Sequence, residues 1–86
     1  MYQLITTTGK ATELSAPVSL EDLQKAVGGY IQIVRFHYPE GKTGLAYVNE
    51  EGYLLNLPIN HAASVVLGMP IVGDVVFVTG EEEGND

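Results

Sequence analysis

Gly28-Gly29-Tyr30-Ile31-Gln32-Ile33-Val34-Arg35-Phe36-His37-Tyr38 joins the end of a helix to the start of a strand. Glycine at position 28 suits the left-handed residue that closes a helix. From Tyr30 onward the apolar residues no longer recur at helical spacing. Ile31, Ile33, Arg35 and His37 fall on one face of an extended chain, and Tyr30, Gln32, Val34, Phe36 and Tyr38 on the other. Both faces are partly apolar, which predicts an inner strand, covered on both sides for part of its length and central in the only sheet.

Before this stretch, Val18 to Val27 reads as a helix. Ser19 is a good N-cap, Asp22 stands where a capping box places its acid, and Val18 is spaced to pack on Leu23. Leu20, Leu23 and Val27 form one apolar stripe with Ala26 beside them. Glu21 and Asp22 suit the positive end of the helix dipole, and Lys25 the negative end. Earlier still, Met1 to Thr7 is β-branched and weakly alternating, Thr8-Gly9-Lys10 is a turn, and Ala11 to Ser15 returns as a short edge strand.

After it, Pro39 to Thr43 is a hairpin turn and Gly44 to Asn49 the antiparallel partner strand. Asn49 to Gly52 turns again, and Tyr53-Leu54-Leu55 reads as a short strand. Asn60 caps a second helix, His61 to Leu67, stopped by Gly68 and Pro70, with Ala62, Val65 and Val66 expected on its buried side. Val75 to Val78 is continuously apolar, as in a strand buried on both faces. The order β, β, α, β, β, β, α, β predicts an α+β domain: two short helices packed on one mixed or mainly antiparallel sheet of about five to six strands.

The 86 residues make one domain, read as 1–80 with an acidic, solvated tail over 81–86. Net charge is −7, and four of the eleven acids lie in that tail. Only Lys10, Lys25, Arg35 and Lys42 are cationic, which argues against direct nucleic-acid binding. The absence of cysteine excludes a disulfide scaffold, a zinc–thiolate site and a thiol nucleophile, and fits a reducing compartment. No signal-peptide pattern or membrane-length apolar run is visible, so a cytoplasmic protein is expected.

Chemistry is sparse. His37 and His61 have no spacing that joins them with a carboxylate as metal ligands. Ser19 is explained as a cap, and Ser64 has no nucleophile elbow. The expectation is no enzyme, no cofactor and no metal. Asn49, Glu50, Asn56, Asn60 and His61 lie near two turns that could meet at the second helix. Singly they are caps and turn formers; together they could read a small ligand, with Tyr47 or Tyr53 as a stacking wall. Arg35 and the Asn60-His61 helix start would have to face any phosphate.

Gly28-Gly29-Tyr30-Ile31-x-Ile33-Val34, Val48-Asn49-Glu50-Glu51-Gly52, Leu57-Pro58-x-Asn60 and Pro70-Ile71-Val72-Gly73-Asp74-Val75-Val76 together resemble a family known as domain of unknown function 3846. The order covers roughly Leu20 to Val78. The resemblance implies a small protein of bacteria, their phages and other mobile elements, with polar motif positions at Asn49, Glu50, Gly52 and Asn60 and no catalytic residues to carry over. The Pro39 to Thr43 turn and the acidic tail depart from it. Two functions follow as expectations. One is a non-enzymatic counter-defence protein, with Arg35, Asn49, Glu50, Asn60 and His61 as its site, which sequesters a nucleotide-derived signal or blocks a host defence protein. The other is a protein-interaction module working through an exposed sheet edge or a homodimer face, with Phe36, Tyr38 or Tyr47 at the interface.

Overall fold

A computed structural model of the chain describes residues 2–15, 18–37 and 43–78. Its elements run β1 Tyr2–Ile5, β2 Ala11–Leu14, α1 Leu20–Val27, β3 Ile31–His37, β4 Thr43–Asn49, α2 His61–Leu67 and β5 Val75–Val78. The five strands form one sheet in the order β2-β1-β5-β4-β3, antiparallel at every pairing. This is the expected α+β arrangement. The remainder of the hairpin turn before Thr43, Tyr38 and the acidic tail lie outside the described residues.

The helix before the glycines forms as its sequence dictates. The Ser19 side chain accepts from the Asp22 N–H and the Asp22 carboxylate accepts from the Ser19 N–H, a complete capping box. Gly28 takes the left-handed conformation at φ 82°, and the N–H groups of Gly28 and Gly29 both donate to the Gln24 carbonyl. Leu23 and Val27 are buried against Val76, with Leu4, Leu14, Val18, Ile31 and Tyr47 around them.

The strand after the glycines is not central. β3 is an edge, paired only with β4 among the described residues, and the centre belongs to β5, whose four residues are all buried. Ile33 is 53% exposed beside exposed Gln32, Arg35 and His37. The unbroken apolar run Val75-Val76-Phe77-Val78 marks the strand covered on both faces, with Val76 in one core and Val75 and Phe77 in the other, and β1 and β4 pair with its two edges.

Strand alternation divides the interior into two cores, one on each side of the sheet. Val76 joins the α1 core, while Val75 and Phe77 join Phe36, Ala46, Val48, Ala63 and Ile71 beside α2. Phe36 meets Phe77 edge to face at 5.5 Å between ring centroids. Gly44, opposite Phe36, has no room for a side chain, since a Cβ there would stand 2.6 Å from the Phe36 ring.

Two further expectations fail in the second half of the chain. Tyr53-Leu54-Leu55 is not a strand. Leu55 N–H donates to the Glu51 carbonyl, Asn56 N–H to Tyr53 and Leu57 N–H to Gly52, so local turns satisfy these donors, and Asn56 takes a positive φ of 55°. Helix α2 is also rotated from the phase its valines suggest. Ala63 is fully buried, Ser64 and Leu67 are half-buried, and Ala62, Val65 and Val66 face out, with Val65 82% exposed. The phase is set by hydrogen bonds. Asn60 is fully buried at the cap, and one turn on the Ser64 hydroxyl donates to the Asn60 carbonyl and accepts from the Ile71 N–H. Leaving these polar groups buried without partners would cost more than exposing two valines.

Candidate functional site

The five residues expected to form a site do not converge. Arg35 is exposed on the α1 side of β3, whereas Gln32 and Val34 face the α2 side. His61 is exposed at the first turn of α2. Glu50 is exposed, with its N–H on the Tyr30 carbonyl.

Asn49 and Asn60 are buried braces. The Asn49 amide donates to the Val27 carbonyl at 2.9 Å, closing the end of α1, and its Oδ1 accepts from the Glu51 N–H at 2.8 Å. Gly29 permits this approach, because a Cβ there would lie 3.1 Å from Nδ2. The Asn60 Oδ1 accepts from the Ala63 N–H at 3.0 Å, and its amide donates to the carbonyls of Ile5 and Gly73 at 3.0 and 2.9 Å. One side chain thus caps α2 and ties it to β1 and to the turn before β5. Each amide uses its donor and acceptor on backbone groups, which leaves little for a ligand to read.

A cleft of about 200 Å³ does bring Asn49, Glu50 and Tyr53 together, beside Gln32, Val34 and Met69. The Tyr53 hydroxyl donates to the Pro70 carbonyl at 3.0 Å, which straps the loop to the segment after α2. Tyr47, the other aromatic wall considered, is half-buried on the opposite side, and burial raises its phenol pKa. Clefts that hold small-molecule ligands run to about 300–1,000 Å³, so this one is small for that task. No three His, Cys, Asp or Glu side chains among the described residues cluster as metal ligands, and no described helix is long and apolar enough to cross a membrane.

A feature that periodicity did not reveal is the surface over residues 53–69. Of ten exposed large hydrophobics among the described residues, seven lie there: Tyr53, Leu54, Leu55, Ile59, Val65, Val66 and Met69. The sequence carries a signal for it, because Tyr53 to Gly73 contains no Asp, Glu, Lys or Arg. Apolar side chains exposed singly are ordinary, and a group of them in contact marks an interaction site.

The model of the family described as Domain of unknown function (DUF3846) matches residues 1–86, the whole chain. The chain belongs to this family. No curated protein and no solved structure matches it. Of the DUF3846 polar positions that the resemblance placed on this chain, Asn49 and Asn60 are the braces. Gly52 is buried where a Cβ would stand 2.6 Å from the Val72 side chain. Three of the four positions thus have a structural account, and Glu50 at the cleft rim does not.

Proposed function

We propose that this DUF3846 protein is a non-enzymatic binding protein that holds a protein partner on the surface formed by residues 53–55 and the outward side of α2. The observation that supports this reading is the concentration of exposed apolar side chains, Leu54 at 83% and Val65 at 82% foremost, in a stretch without charge. The internal use of both asparagine amides favours a protein over a nucleotide-derived signal at the residues expected to read one. In the phage or mobile-element setting that the family resemblance implies, the partner is a host defence protein, and binding blocks it in the host cytoplasm.

The test is a paired variant, Leu54→Glu with Val65→Glu. Both positions are solvent-exposed, so each change should move stability by no more than about 0.5 kcal/mol. Wild type and variant are expressed in a bacterial host carrying a defence system that the wild type suppresses. Loss of suppression, with an unchanged circular dichroism spectrum, is the expected result. A variant that suppresses as well as wild type removes this surface from the function.

A further inference from the structure

The two edges of the sheet differ. β2 is four residues long, with Glu13 on it and Lys10 just before it. β3 runs for seven residues in an unbroken register against β4, from Ile31 opposite Asn49 to His37 opposite Thr43, with no bulge and no proline. Natural edges are blunted by shortness, bulges, proline or charge, and β3 has only Arg35.

The hydrogen-bond phase of β3 can be read from its start. The Glu50 N–H donates to the Tyr30 carbonyl, so Tyr30 and Glu50 are a bonded pair. In an antiparallel ladder bonded and non-bonded pairs alternate. Gln32, Val34 and Phe36 therefore bond inward to β4, and the N–H and C=O groups of Ile31, Ile33, Arg35 and His37 point away from it. No described strand pairs with that side.

We propose that two copies of the chain pair antiparallel through β3, joining their sheets across a two-fold axis at Val34. The register that uses all seven residues places Ile31 opposite His37 and Ile33 opposite Arg35, and these are the residues whose backbone groups point outward. It would form about eight hydrogen bonds by the alternation rule. It also fits the side chains. The 53% exposed Ile33 gains the aliphatic stem of the second copy's Arg35, and no like charges stand directly opposite. Ile31 to His37 contains no carboxylate in a chain of net charge −7, so this edge does not bring the acids of the two copies together, and the two Arg35 side chains stand diagonal rather than opposite. The pairing is isologous and closed, leaving β2 as the outer edge of a ten-stranded sheet. A strand-edge contact lies at the small end of protein interfaces, below about 1,200 Å², so a concentration-dependent pair is expected rather than a permanent one. This proposal does not depend on the apolar surface over 53–69.

The absence of cysteine makes the register directly testable. At Val34 the two copies form a non-bonded pair with Cα atoms about 4.5 Å apart, within disulfide reach. At Gln32 the equivalent atoms are four residues apart along the strand, about 13 Å, which is out of reach. Under mild oxidation at high protein concentration, Val34→Cys should give a covalent dimer as its main product and Gln32→Cys almost none. Sedimentation of the unmodified chain should show the 9.3 kDa mass doubling between micromolar and millimolar protein. Ile33→Pro removes an outward donor that β4 does not use, so it should stay folded and lose the doubling. A chain that stays monomeric throughout this range overturns the proposal. So does doubling that survives Ile33→Pro without a Val34→Cys cross-link; if Leu54→Glu with Val65→Glu abolishes it instead, the copies meet through the apolar surface. A strand-edge peptide partner would appear as a monomer with no Val34→Cys dimer, and also counts against it.

Discussion

Helices α1 and α2 are built alike and oriented by different forces. One has eight residues and the other seven; each starts on a side-chain cap and ends on a left-handed glycine. In α1 the cap is exposed, Leu23 and Val27 face the sheet, Leu20 at the first turn is exposed against the expected stripe, and the charges face water. In α2 the cap is buried, the inward residues include Asn60 and Ser64, and the outward ones include Val65 and Val66. Hydrophobic burial orients the first helix, and a hydrogen-bonded polar brace orients the second. A helix held by its polar residues is free to leave its apolar ones exposed.

The most direct way to break this contrast is at the caps. Asn60→Ala strands the Ala63 N–H and the Ile5 and Gly73 carbonyls inside the protein. With about 1–3 kcal/mol for a buried group left unsatisfied, and partial relaxation, the loss should be about 3–5 kcal/mol. For a domain of this size that lowers Tm by well over 10 °C at about 4–8 °C per kcal/mol. Thermal unfolding checks it. Asn60→Asp should fail to rescue, because a carboxylate keeps the cap acceptor and loses both donations. A loss near 1 kcal/mol would mean that α2 is oriented by its apolar contacts after all.

Packing gives the next effect. Leu23→Ala removes a side chain only 6% exposed from the α1 core and should cost about 2–4 kcal/mol. Val65→Ala, on a side chain 82% exposed, should cost no more than about 0.5 kcal/mol. Urea midpoints measured side by side decide the matter. Similar costs at the two sites would show that Val65 is covered by something, and a second copy would be the first candidate to examine.

Smaller still is the exposed cap. Ser19→Ala loses the bond to the Asp22 N–H at the surface, where water replaces it, and should cost about 1 kcal/mol. Here Ser19→Asp should restore most of the loss, since only an acceptor is required. Rescue by aspartate at Ser19 and not at Asn60 separates a cap that is only a cap from one that is also a brace.

This contrast explains what was legible in the sequence. Both caps, both glycine stops and the buried last strand follow from local rules: Ser19 and Asp22, Asn60, Gly28 and Gly68, and four apolar residues in a row. The phase of α2 was not legible, because it depends on the Ile5 and Gly73 carbonyls, 55 and 13 residues away from Asn60. The edge position of β3 was hidden for a similar reason. Alternation describes the two faces of a strand and says nothing about its flanks, which are settled only when β5 returns between β1 and β4. The site expectation rested on asparagines near turns, and a residue suited to reading a ligand's donors and acceptors is equally suited to reading the backbone's. Tyr53, Leu54 and Val65 stood in a charge-free stretch whose length was the better guide to where apolar side chains are exposed.

The smallest effect tests the electrostatic half of the α1 cap. The Asp22 carboxyl is held below its ordinary 3.8, first by the backbone N–H of Ser19, then by the Ser19 side chain and, more weakly, by Lys25, against a slight opposing effect of burial. A carboxyl whose pKa is lower folded than unfolded stabilises the fold fully above the unfolded value, and that contribution disappears as pH falls through the folded value. The pH window is therefore below 3.8. Asp22→Asn keeps an oxygen for the Ser19 N–H but does not titrate. The difference in Tm between wild type and Asp22→Asn should be constant from neutral pH down to about 5 and should shrink below the ordinary carboxyl range. The α2 cap, being an amide, contributes no titration of its own, so Asn60→Ala should lower Tm by a similar amount across that series. A wild-type advantage over Asp22→Asn that persists unchanged below pH 3 would mean that the capping box works through the geometry of its oxygen alone and that its charge adds nothing.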